Sequence, residues 1–150
     1  MNQKKITAIL DFAIEKEWEA VKFYNRLIQR AGSFEMMEAI REIEMFERRH
    51  VEKLEVLKKT GTEQLAISAP EDLQISEYMT TPATSEVSDY RDLLLTAMKR
   101  EEAARQLYQQ IATASADPQV KKTFKKLATE EANHKAFFEK IYDAEALKEN

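Results

Sequence analysis

A shift of 84 residues lays one half of this chain on the other. It places Ala13 on Ala97, Glu17 on Glu101, Ala20 on Ala104 and Tyr24 on Tyr108. With no gap it goes on to place Ser33 on Asp117, Glu47 on Glu131 and His50 on His134. In both halves apolar residues recur at alternating spacings of three and four, the pattern of helices that share a buried seam. A duplicated hairpin packed about a pseudo-twofold axis brings equivalent residues face to face. Such a chain has few options other than an all-α fold.

The punctuation divides it into four helices. Gly32 suits the left-handed position after a helix and Ser33 can cap the next. Asp117 is a good N-cap, and Pro118 fits the first helical position. Only two glycines and three prolines interrupt the 150 residues, which removes the two residue types most costly in a helix interior. The helices are expected at about 4–31, 34–59, 89–115 and 118–144, with Gly61 stopping the second and Ser88 capping the third. Residues 61–88 hold two of the three prolines and much Ser and Thr. They read as a crossover with one short helical turn around Asp72–Met79. A connection of that length can run the length of a 27-residue helix, roughly 40 Å. The expectation is one domain over 1–150, an all-α four-helix bundle of two antiparallel hairpins joined by a long crossover.

The seam is apolar except in its middle. Helix 1 presents Leu10, Ala13, Glu17, Ala20, Tyr24, Leu27 and Ala31; helix 2 presents Met36, Ile40, Ile43, Glu47, His50, Leu54 and Leu57. Helix 3 presents Leu94, Ala97, Glu101, Ala104, Tyr108 and Ile111; helix 4 presents Val120, Phe124, Leu127, Glu131, His134, Phe138 and Ile141. From Glu17 the chain climbs about fourteen residues to the turn and descends about thirteen to Glu47, roughly 20 Å each way. The second hairpin repeats the count, so all six polar residues are expected in one layer.

Four carboxylates cannot share a dry layer unaided, because each unpaired buried charge costs several kcal/mol. No Lys or Arg lies on the seams, whereas two divalent metal ions balance four carboxylates charge for charge. Carboxylate and imidazole donors suit Fe, Mn and Zn. Glu-x-x-His sets both side chains on one helical face, one turn apart. A chance Glu three residues before a given His has odds of about one in seven in this composition, and both together about one in fifty. The coincidence must also put each motif 30 residues after a seam Glu. A buried His–Glu hydrogen-bond network is the bland alternative.

Helix 1 reads Glu17-x-x-Ala20-x-x-x-Tyr24 and helix 3 reads Glu101-x-x-Ala104-x-x-x-Tyr108. The paired motifs are Glu47-Arg48-Arg49-His50 and Glu131-Ala132-Asn133-His134. Over both hairpins this resembles the ferritin-like superfamily, most of all its rubrerythrin-related members, in which such residues hold two iron ions. The resemblance implies a ferritin-like bundle with Glu17 and Glu101 as terminal ligands, Glu47 and Glu131 bridging the metals, and His50 and His134 on one metal each. Tyr24 and Tyr108 would stand just behind the ligands, or serve as ordinary core aromatics. It also implies reaction with dioxygen or hydrogen peroxide as a di-iron oxidoreductase, with iron binding or storage without turnover as the alternative. Substrate hydroxylation and a metal-free structural bundle are further rivals. A homodimer is expected of such a bundle. Two departures stand out. Rubrerythrins carry a Cys-rich rubredoxin domain absent here, so an electron donor must be a separate molecule. They also carry a further Glu where this chain has Ala104, and the six-ligand set is closer to that of bacterioferritin. Helix 4 ends near the end of the sequence, so the fifth helix of large ferritins is not expected.

The absence of cysteine excludes disulfides, thiolate metal sites and a Cys nucleophile. A net charge of −4 argues against nucleic acid as the main partner. No apolar run suggests a signal peptide or a membrane span, so a cytoplasmic location is expected. Met36, Met37, Met45, Phe12, Phe23 and Phe46 read as packing residues. Trp18, beside Glu17 but off the seam, is expected to pack under the crossover or at a dimer contact.

Overall fold

A computed structural model describes residues 2–60 and 89–148. They form four helices: α1 (Asn2–Ile28), α2 (Phe34–Lys59), α3 (Tyr90–Ala114) and α4 (Pro118–Lys148). The described residues are all-α, two helical hairpins as the repeat predicts. The crossover, its turn around 72–79, Gly61 and Ser88 lie outside the described residues. No described helix is long and apolar enough to cross a membrane.

The helix ends follow their capping chemistry. Met36 donates its backbone N–H to the Ser33 hydroxyl at 3.1 Å, which starts α2. Asp117 accepts from the N–H groups of Gln119 at 2.8 Å and Val120 at 3.2 Å, which starts α4. Asp89 and Asp92 cap α3 reciprocally, through bonds of 2.8 and 3.4 Å, a carboxylate version of the capping box. At the end of α1 the bonding tightens: Gln29, Arg30 and Ala31 each donate to the carbonyl three residues back. The expected last turn of helix 1 is therefore a tight turn rather than α-helix. Helix α4 runs four residues beyond its expected end because Ala144, Ala146, Leu147 and Lys148 all favour helix, and Lys148 pairs with Glu145 at 3.1 Å.

The chain divides into two compact units, one built on α1 and α2 together with Ala114–Val120, the other on the remainder of α3 and α4. In the first, α1 and α2 run antiparallel. Lys58 near the end of α2 reaches Asp11 near the start of α1 at 2.6 Å, and that hydrogen bond holds the Lys58 ammonium above its ordinary pKa. Leu10, Tyr24, Leu27, Ile40 and Leu54 are fully buried there. In the second unit the Tyr108 ring of α3 meets the Phe124 ring of α4, centroids 5.9 Å apart and tilted by 39°, and Leu94, Ile111, Leu127 and Phe138 are fully buried. Each such aliphatic or aromatic side chain contributes about 1.5–3 kcal/mol by leaving water.

Every seam position is buried except Ala31, Met36, Leu57 and Ala104, which are half-buried. The buried face is wider than a two-position seam: Ile6, Ile9, Val21, Phe23, Val51, Leu93 and Leu107 are covered as well, as on the core-facing side of a globular helix. Of the off-seam residues expected to pack, only Phe23 is buried. Phe12 and Phe46 are half-buried, with the Lys16 ammonium 5.6 Å and the Arg49 guanidinium 5.2 Å from their rings. Met45 is 49% exposed. It sits two residues from both Ile43 and Glu47, and 200° of rotation carries a side chain to the far side of the helix.

Candidate metal centre

In each hairpin the second helix begins fourteen residues before its Glu-x-x-His glutamate, at Ser33 for Glu47 and at Asp117 for Glu131. The caps thus set the helical phase that turns Glu47 with His50, and Glu131 with His134, inward. Glu17 and Glu101 point inward from α1 and α3. All six side chains are buried, with His50 at 0% exposed and His134, the most open, at 8%.

Glu17, Glu47 and His50 each offer one donor atom, and these atoms lie within 4.8 Å of one another. Glu101, Glu131 and His134 do the same in the second unit. The shorter separations are informative. His50 Nδ1 stands 3.4 Å from Glu17 Oε2 and 3.9 Å from Glu47 Oε2, and His134 Nδ1 stands 3.6 Å from Glu101 Oε2. A direct N–H···O hydrogen bond spans about 2.7–3.2 Å. Two donors each about 2.1 Å from a shared ion stand about 3.0–3.4 Å apart at octahedral or tetrahedral angles, and about 4.2 Å at most. The observed spacings are those of donors that converge on one ion. The donor set fits as well, since oxygen and imidazole nitrogen are the ligands of Fe, Mn and Zn. No described Lys or Arg is fully buried, and Arg91 and Arg100 are half-buried.

Against this site, residues 92–150 match the rubrerythrin family model. The second hairpin is similar to the rubrerythrin family in sequence as well as in its donor set. The match covers the second hairpin from Asp92 of α3 onward, and the 84-residue repeat extends the same pattern to the first. No curated protein and no solved structure matches the chain.

All six residues expected as ligands are buried, and the three of each hairpin lie together. Tyr24 and Tyr108 are fully buried and meet aromatic neighbours: Tyr24 lies edge-on to Phe23, centroids 5.6 Å apart, and Tyr108 tilts against Phe124. Two features beside the triads escaped the sequence reading. Glu44 is a buried carboxylate, 7% exposed, that accepts from Arg48 Nε at 2.9 Å. The same guanidinium lies 5.8 Å from the ring of Trp18, which is 41% exposed. Glu44 precedes Glu47 by one turn, and that i, i+3 spacing was the available signal.

The second is Glu102, next to Glu101. It accepts from Arg105 at 2.6 and 3.0 Å, from Gln106 at 2.7 Å and from Lys135 at 3.2 Å. Above all the Arg105 hydrogen bonds, with those of Gln106 and Lys135, pull its carboxyl down to about 2. The folded form favours the ionised acid, so the stabilisation is complete above the ordinary value of 4.5 and fades as pH falls through about 2. A carbon-detected NMR titration should show Glu102 ionised well below pH 4, and Arg105→Ala should move its midpoint up towards the ordinary range.

Proposed function

We propose that this is a di-iron carboxylate protein, each triad holding one iron ion, that reacts with dioxygen or hydrogen peroxide. The observation that carries this reading is the convergence of the buried carboxylate and imidazole donors, three in each hairpin, within 4.8 Å of one another. Glu17, Glu47 and His50 would hold one ion, and Glu101, Glu131 and His134 the other. Iron, when bound by these residues, would supply the redox chemistry. The protein's own part is to neutralise the ions with four carboxylates and fix them with two imidazoles, all six buried away from bulk water. His134, the most open of the six, supports access for a small oxidant from its side. Because the chain lacks cysteine, reducing equivalents come from a separate donor. Mn or Zn would fit the same donors without the same redox range.

Iron binding without turnover has one observation in its favour. Ala104 stands, half-buried, where rubrerythrins carry a further carboxylate. Iron-loaded protein given hydrogen peroxide and excess ascorbate separates the two readings. Consumption of many peroxide molecules per chain is the expected result. A single oxidation event, followed by iron uptake far beyond two per chain, establishes storage instead.

A further inference from the structure

The chain as a whole carries a net charge of −4, yet residues 103–129 hold Arg105, Lys121, Lys122, Lys125 and Lys126 against one carboxylate, Asp117. Asp117 is engaged as the α4 cap and Arg105 with Glu102. The four lysines make no ion pair among the described residues. Lys122, Lys125 and Lys126 are exposed and Lys121 half-buried. Their placement opposes helix stability twice over. Like charges three and four apart repel along a helix, and Lys121, in the first turn of α4, also opposes the helix dipole. An anionic counter-surface relieves both.

Such a surface exists on the same molecule. At the start of α2, Glu35, Glu38 and Glu42 line an open depression of about 510 Å³ together with Phe34 and Met45. Phe34 is 72% and Met45 49% exposed. Arg41 pairs with Glu38 at 2.9 Å, while Glu35 and Glu42 make no ion pair among the described residues. Large exposed apolar groups rimmed by charge mark interaction surfaces. Lysine suits this one, because its methylene stem can lie on Phe34 and Met45 while its ammonium meets a carboxylate.

We propose that the lysine face of α4 docks on the acidic first half of α2 of a second copy of this chain. The contact is between unlike surfaces, so it is either used reciprocally in a closed pair or repeated in a larger assembly. It does not depend on the metal centre.

Sedimentation velocity on the full chain tests it. At 50 mM salt the protein should sediment above its monomer mass, and at 500 mM salt the association should weaken about tenfold or more, as screening shortens the reach of exposed charges. Lys122→Glu/Lys125→Glu/Lys126→Glu should be monomeric, and so should Glu35→Lys/Glu38→Lys/Glu42→Lys. An equimolar mixture of the two variants should associate again, which a folding defect in either would not allow. A wild type that is monomeric at both salts overturns the proposal, as does association that survives both reversals or a mixture that stays monomeric.

Discussion

Glu101→Gln should raise the thermal midpoint of the metal-free protein while abolishing most of its rise on adding metal. In the apo chain Glu101 and Glu131 present carboxylate oxygens within 4.8 Å of each other and of His134, with no Lys or Arg in the buried class among the described residues. Two unit charges at that separation repel by about 3 kcal/mol at an effective dielectric near 20. The amide must still find hydrogen-bond partners, so a net gain of about 1–2 kcal/mol is expected, or roughly 2–8 °C for a chain of this size. Metal acts in the opposite direction on the wild type. A site held at a thousand times its dissociation constant adds about 4 kcal/mol, roughly 8–16 °C per site. Differential scanning calorimetry of apo and metal-loaded forms reads both effects. A buried His–Glu hydrogen-bond network predicts the reverse: Glu101→Gln destabilises, and metal does not matter.

The largest purely structural loss is expected from Phe124→Ala. Phe124 is fully buried against Tyr108 and lies seven residues before Glu131 on the same face of α4. Truncation leaves a cavity that a rigid helical pair fills poorly, at a cost of about 3–5 kcal/mol. Denaturant titration should show the midpoint falling with little change in slope, and Phe124→Leu should recover more than half the loss. If Phe124→Ala costs under about 1 kcal/mol, the ring does not hold the second hairpin together.

The residues easiest to read in the sequence were those whose chemistry conflicts with their periodicity. Glu17, Glu47, Glu101 and Glu131 fall on apolar stripes, and the repeat shows each conflict twice, so their burial could be expected before any coordinates. The start of α2 was as legible, because Ser33 follows Gly32 and caps in the ordinary way. Other features depend on information that spacing does not carry. The end of α1 is decided by competition between bonds to the third and fourth carbonyl back, which differ too little to predict. Glu44 and Glu102 sit off the two-position seam: the wider buried face covers Glu44, and Glu102 is held by Arg105, Gln106 and Lys135. Met45 looked like packing by residue type alone, but its phase on α2 turns it outward.

The centre itself is tested most directly by anaerobic equilibrium titration of the metal-free chain with Fe(II), followed by separation of bound from free metal. The account predicts saturation at two ions per chain for the wild type, and loss of both ions together in Glu47→Ala and in His134→Ala. A wild type that binds none, or variants that still bind two, would contradict it.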